Sequence, residues 1–197
     1  MIETGAKAPA FTLDSDDGKK VSLRDFAGKT LVLYFYPKDD TPGCTREAQA
    51  FSKARADIAK AGGVVVGVSK DTVASHCKFR DKYGLSIPLL SDPDLTLHKA
   101  LGAYGEKTMY GKKVLGTIRS TFLVRDGKVV RVYPSVKVDG HADQVLAFLR
   151  GDETPAAAKA APKKAAAPKK KAAAAAPVKK KAAAPKKTAA KAAKTKR

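Results

Sequence analysis

Thr30-Leu31-Val32-Leu33-Tyr34-Phe35-Tyr36 runs straight into Pro37-Lys38-Asp39-Asp40-Thr41-Pro42-Gly43-Cys44-Thr45-Arg46-Glu47, and this junction decides the fold. The first seven residues are β-branched or apolar without interruption, as expected of a central strand covered on both faces. Pro42-Gly43 then signals a turn. From Cys44 to Ala61 the chain is rich in Ala, Glu, Lys and Arg, and Gly62-Gly63 stop that helical pattern. Strand, turn and helix in this order place Cys44 at the start of a helix, beyond the end of a buried strand.

The pattern continues on both sides. Val64-Val65-Val66-Gly67-Val68 and the shorter Ile87-Pro88-Leu89-Leu90 read as further strands. Ser120-Thr121-Phe122-Leu123-Val124 and Val129-Val130-Arg131-Val132-Tyr133 flank Arg125-Asp126-Gly127-Lys128, whose Asp-Gly marks a hairpin. Asp71 can cap a helix running to Tyr83, with Gly84 behind it. A third helix is expected near Leu95–Leu101 and a fourth from about His141 to Leu149. With a β-hairpin at the start, the order becomes βαβα, an antiparallel hairpin and a final helix. That predicts a three-layer α/β/α arrangement around a mixed central sheet, which the thioredoxin-like architecture fits and other mixed-sheet folds also allow.

Charge divides the chain in two. Of its 39 Lys and Arg, 15 lie in residues 154–197, where there is no Asp or Glu. Residues 1–153 hold the other 24 against all 19 acids, a net of +5. All seven Phe and all six Tyr also lie before residue 151. We therefore expect a folded domain over 1–151, large enough for one sizeable core, and a separate segment over 152–197. That second segment is about half Ala and one third Lys or Arg, with Ala-Pro-Lys-Lys at 161–164, 167–170 and 184–187. Lacking aromatics, it cannot bury enough surface to offset its ordering entropy, so a disordered basic tail is expected.

Several function classes drop out. No apolar run of roughly 18 residues is present, so no membrane span is expected. The start, MIETGAKAPAFTL, does not resemble a signal peptide. Two cysteines, Cys44 and Cys77, argue against a disulfide-stapled secreted scaffold and for a reducing cytoplasm. There is no Cys-x-x-Cys of the disulfide-reductase kind. His76, His98 and His141 are scattered and make no metal-ligand spacing.

Chemistry gathers at Cys44. At a helix start, free backbone N–H groups and the positive end of the helix dipole favour thiolate over thiol, and the thiolate is the nucleophile. Thr41, three residues earlier, can offer its hydroxyl to the sulfur or to a bound oxygen. Arg119, at the start of a strand able to adjoin the one ending at Tyr36, is a candidate cation. Glu47 reads as a carboxylate near the helix start that can position Arg119, and Asp39-Asp40 as a solvated turn. Taken singly, Thr41 is ordinary turn chemistry and Arg119 a surface cation; their significance lies in the combination.

That combination resembles a known family. Pro37-x-x-x-Thr41-x-x-Cys44 matches the peroxiredoxin active-site motif, and Arg119 matches the family's distal arginine. The surrounding Tyr34-Phe35-Tyr36-Pro37-Lys38-Asp39-Asp40-Thr41-Pro42-Gly43-Cys44-Thr45 is similar to the bacterioferritin-comigratory, or peroxiredoxin Q, subfamily. So are Tyr83-Gly84-Leu85, Gly105-Glu106-Lys107, Met109-Tyr110-Gly111 and Arg119-Ser120-Thr121-Phe122-Leu123. The resemblance covers residues 1 to about 150. It implies a thiol peroxidase in which Cys44 attacks a hydroperoxide and becomes a sulfenic acid, with Thr41, Arg119 and Pro37 shaping the pocket. It implies no metal, flavin or haem, a thioredoxin-like reductant and a monomer.

The chain departs from the subfamily at one point. Many members place a resolving cysteine five residues after the peroxidatic one, where this chain has Gln49. A second group carries it on the next helix, nearer Arg80 by this resemblance. Cys77 and Arg80 share a helix face as i and i+3, so Cys77 is the candidate resolving thiol. The alternative is that Cys77 is an ordinary half-buried residue and an outside thiol resolves Cys44.

The tail resembles those of linker histones and bacterial histone-like proteins. Fifteen cations on a flexible chain would bind DNA, or another polyanion, by counterion release and without reading sequence. That suggests a cytoplasmic peroxidase held near the nucleoid. The alternative function is a nucleic-acid-binding protein whose peroxiredoxin domain serves as redox sensor or scaffold.

Overall fold

The computed structural model describes residues 1–109 and 112–152. The basic segment lies, from residue 153 onward, outside the described residues, as do Tyr110 and Gly111 of the Met109-Tyr110-Gly111 motif.

The continuous apolar run forms β3 (Thr30–Phe35), an interior strand of a seven-stranded mixed sheet. Beside it run β4 (Gly63–Ser69) and, further out, β5 (Leu89–Ser91), all three parallel. On its other side β8 (Ser120–Arg125) pairs antiparallel, followed by β9 (Lys128–Tyr133) across the Asp126-Gly127 turn. The hairpin of β1 (Thr12–Ser15) and β2 (Lys20–Ser22) closes the far edge against β5. The sheet order is β2-β1-β5-β4-β3-β8-β9.

Alternate side chains of β3 point to opposite faces, and both faces are covered. Val32 and Tyr34, with Tyr36 just beyond the strand, meet one layer of helices: α1 (Pro42–Lys60), α2 (Val73–Tyr83) and α4 (His141–Arg150). Leu31, Leu33 and Phe35 meet the other layer, made of α3 (Thr96–Leu101), the 3₁₀ turn at Leu23–Phe26 and the N-terminal segment. The expected α/β/α layering is present, and it is thioredoxin-like.

Two details differ from expectation. Asp71 does not cap α2. Thr72 does, accepting the Ser75 N–H at 3.3 Å, while Asp71 turns back to accept the Asp39 N–H at 2.8 Å. A further hairpin, β6 (Tyr104–Met109) with β7 (Lys112–Thr117), stands as its own two-stranded sheet. It had no β-branched run to announce it, because a two-stranded arm has no sheet face to bury. It matters here because β7 leads straight into Arg119.

Candidate active site

The strand-to-helix junction is built as a sequence of local constraints. After β3, Pro37 bends the chain and Asp40 takes a left-handed conformation, φ 54°. Thr41 is extended, φ −104° and ψ 147°, and serves as N-cap, with Pro42 in the first helical position, where a missing N–H costs nothing. Cys44 is therefore the third residue of α1. The first turn leaves the N–H groups of Gly43 and Cys44 without intrahelical acceptors, so partial positive charge collects around the sulfur.

Arg119 reaches this point because of strand register. Phe35 pairs with Ser120, which sets the residue before Ser120 beside the end of β3. Arg119 Nη2 lies 3.2 Å from Cys44 Sγ, and its Nη1 donates to Glu47 Oε2. Cys44 and Glu47 are each 1 % exposed, so both contacts are sheltered from water. Burial penalises the guanidinium, but Glu47 and Cys44 hold it above its ordinary value. Glu47 responds oppositely. Burial raises its carboxyl to about 7, although Arg119 pulls it down. Its second oxygen, Oε1, has no hydrogen-bond partner among the described residues.

The other expected residues fall around this pair in different ways. Thr41 donates its hydroxyl to the Lys38 carbonyl at 3.1 Å rather than to the sulfur, which leaves its oxygen as an acceptor. Pro37 is half-buried at the bend. Cys77 is not brought to Cys44. It is half-buried on α2, and its Sγ donates to the Asp16 carbonyl at 3.0 Å, an oxygen shared with Arg80 Nη1 at 3.2 Å. Both cysteines are free thiols.

Asp39 corrects the reading of Asp39-Asp40 as a solvated turn. It is 6 % exposed and accepts from Tyr36 Oη and Ser75 Oγ, each at 2.7 Å, and pairs with His76 Nδ1 at 2.8 Å. Burial works against its charge, yet His76, Ser75 and Tyr36 together hold it below the usual carboxylate range. The partners of its carboxylate lie more than thirty-five residues away, except Tyr36, so composition around the turn could not show them. Only Asp40 is exposed, paired with Lys82.

Three groups behind the site carry no role in the sequence reading. Tyr34 is buried, and burial first, then Glu47 and Cys44, push its phenol well above the usual value. Gly67 makes room for it, since a Cβ there would stand 2.6 Å from Tyr34 Oη. His141 contacts the Thr121 hydroxyl through Nε2 at 2.8 Å; burial, with a contribution from Arg119, lowers it to about 4. Lys107, on the β6–β7 hairpin, carries an ammonium within electrostatic reach of Cys44 and Arg119. Among the described residues no cluster of three His, Cys, Asp or Glu is arranged to hold a metal ion, and no helix is long and apolar enough to cross a membrane.

A thioredoxin-like sheet that ends in a sheltered cysteine under an arginine defines a thiol-based redox protein. The comparisons with known proteins narrow this. Residues 4–133 match the AhpC/TSA family. Peroxiredoxin Bcp of Xanthomonas campestris is 47 % identical over 155 residues, covering 76 % of this chain and 97 % of that protein. Peroxiredoxin Bcp of Bacillus subtilis is 41 % identical over 150 residues, covering 76 % and 96 %. The solved structure of Xanthomonas campestris peroxiredoxin Q superposes with a TM-score of 0.68 at 48 % identity, covering 72 % of this chain and 90 % of that one. A variant of Xylella fastidiosa PrxQ gives 0.72 at 38 % identity, covering 77 % and 97 %. The chain belongs to the AhpC/TSA family, in its Bcp/PrxQ branch, and is a thiol peroxidase.

Proposed function

We propose that Cys44 is the peroxidatic thiolate, reducing hydrogen peroxide and organic hydroperoxides, and that Arg119, Thr41 and Pro37 form its pocket. The observation that carries this reading is the 3.2 Å contact from Arg119 Nη2 to Cys44 Sγ, with Glu47 holding the other arm of the guanidinium. A fixed cation beside the sulfur meets the negative charge that develops on oxygen as the O–O bond breaks. Attack forms the S–O bond, expels the second oxygen with the electron pair, and leaves a sulfenic acid. Thr41 presents an oxygen that can accept a hydrogen bond from the peroxide O–H, and Pro37 limits access of water.

Reduction then passes through a disulfide before a second peroxide over-oxidises the sulfur. Cys77 is our candidate resolving thiol, with thioredoxin or a similar dithiol protein restoring both. To meet, the cysteines must leave their contacts with Arg119 and the Asp16 carbonyl. Mass spectrometry after one equivalent of peroxide tests this. An internal disulfide supports it; a free Cys77 beside a Cys44 sulfenate or mixed disulfide overturns it in favour of an outside thiol.

The cations of residues 154–197 favour a second property, non-specific binding of DNA or another polyanion, which would hold a cytoplasmic peroxidase near nucleic acid. They also support the other reading, a nucleic-acid-binding protein with a redox-sensing domain. Peroxide consumption and DNA retention at low salt, measured on the wild type, Cys44→Ser and a truncation after Gly151, separate the two. Equal consumption by Cys44→Ser defeats the enzymatic reading, and equal DNA retention by the truncation defeats the role of the tail.

A further inference from the structure

The site has a second cation, and the β6–β7 hairpin is shaped to deliver it. Lys107 pairs with Val114 across the hairpin, but its side chain does not stop there. It runs along the hairpin over Gly116, where a Cβ would stand 3.1 Å from its Cε and 3.3 Å from its Nζ. It ends by donating to the carbonyl of Thr117 at 2.7 Å. Thr117 closes β7 and lies two residues before Arg119. The glycine thus opens a groove that carries the ammonium to the segment presenting the guanidinium. An ammonium has three N–H donors, of which the Thr117 carbonyl takes one among the described residues.

The peroxide step needs such a group. When thiolate Cys44 attacks the hydrogen-bearing oxygen of R–O–O–H, an S–O bond forms and the O–O bond breaks. The sulfur is oxidised to sulfenic acid, which keeps that hydrogen, and the peroxide is reduced. The electron pair leaves on RO⁻, which then requires a proton. Arg119 does not give one up at any accessible pH. Thr41 commits its hydroxyl hydrogen to the Lys38 carbonyl, and Glu47 meets Arg119 through Nη1, on the other arm of the guanidinium from the one that faces Cys44 Sγ.

We propose that Lys107 is the proton donor to the leaving oxygen of the peroxide. The proposal rests on the reading of Cys44 as the peroxidatic thiolate. Transfer from Nζ yields ROH and a neutral amine, which regains its proton from water. Half-buried, the ammonium is suited to the task. Burial first, then Arg119 and Lys70, lower it from its usual value, with Cys44 opposing them, so it releases a proton more readily than an ordinary lysine.

The leaving group provides the test. tert-Butoxide is strongly basic and needs the proton in the transition state; acetate, expelled from peracetic acid, does not. Single-turnover oxidation of Cys44 would be followed with both peroxides in wild type, Lys107→Met and Lys107→Arg. We expect Lys107→Met to slow tert-butyl hydroperoxide about 100-fold and to leave peracetic acid nearly unchanged. Lys107→Arg should not restore the loss, because a guanidinium keeps its proton. The proposal is overturned if Lys107→Met slows both peroxides alike or neither, or if Lys107→Arg recovers the wild-type rate. Peroxide consumption by Cys44→Ser at the wild-type rate would instead bring down the reading of Cys44, so the two failures are distinguishable.

Discussion

Arg119 holds Glu47 with one arm of its guanidinium and Cys44 Sγ with the other, at 3.2 Å. The carboxylate fixes the plane of the guanidinium, and the plane fixes where the second arm points. Only a rigid, forked cation serves both partners at once. Gly43 sits against the same arm, its would-be Cβ only 3.5 Å from Arg119 Nη2.

The first prediction follows from that fork. Arg119→Lys keeps the charge but offers a single point donor, which can satisfy Glu47 or the sulfur and not both. Peroxide-dependent oxidation of Cys44 should slow by about 100-fold, in line with the loss of one oriented donor to a developing oxyanion. Arg119→Met should do at least as much and should also destabilise the fold, because it strands the buried Glu47 carboxylate. Stopped-flow oxidation kinetics and chemical denaturation read the two effects separately.

How much of this site was legible in the sequence depended on distance along the chain. The β3-to-Cys44 junction could be read because strand, turn and helix signals are local and follow one another without interruption. Arg119 could be placed beside the end of β3 and Glu47 named as a group able to position it, but the fork that gives one arm to Glu47 and the other to Cys44 depends on contacts seventy-two and seventy-five residues apart. Asp39 was misread because an Asp-Asp pair in a turn has the composition of a solvated loop; Ser75 and His76 fold over it only once β4 and α2 are in place. Lys107 stands in the sequence within Gly105-Glu106-Lys107 but without a role, because its reach depends on Gly116 lying beneath it, a fact about the groove rather than about the lysine.

Glu47 yields a pH prediction. Its carboxyl is raised to about 7 from an ordinary 4.5, so between those values the folded state binds the proton more tightly than the unfolded chain does. The stability this proton contributes is fully present below about 4.5 and is lost as pH rises through about 7; a shift of that size is worth on the order of 3 kcal/mol. Glu47→Gln, which cannot ionise, should remove this loss. Thermal unfolding of the variant should gain on the wild type as pH rises from 5 to 7.5. Parallel curves over that range would contradict it.

His141 acts in the opposite direction over nearly the same range. Burial lowers it to about 4 from 6.5, so here the unfolded chain binds the proton more tightly. Its contribution is fully present above about 6.5 and falls away as pH drops through about 4. In the wild type the two slopes largely offset each other, giving a flat stability profile between pH 5 and 6.5. His141→Gln should expose the Glu47 slope, with stability falling as pH rises, and Glu47→Gln should expose the His141 slope, with stability rising. Calorimetry of both variants at matched pH tests the pair, and the double variant should be flat again.

Asp39 ties the loop before Cys44 to α2 through Ser75 and His76 and to the core through Tyr36. Asp39→Ala would leave those three donors buried without their acceptor, and the cost of such a loss, about 3 kcal/mol, exceeds what one hydrogen bond contributes when made. Asp39→Asn keeps the shape and one acceptor oxygen but sets an amide against a donor, so it should fall between the alanine variant and the wild type. Both changes loosen the helix that bears Cys77 as well as the turn that sets Cys44. If Cys77 resolves Cys44, the Asn variant should therefore form the internal disulfide faster than the wild type even though it is less stable. Chemical denaturation gives the first ordering, and quenched thiol trapping after one equivalent of peroxide gives the second. Slower disulfide formation would mean that the Asp39 contacts guide the two cysteines together rather than hold them apart.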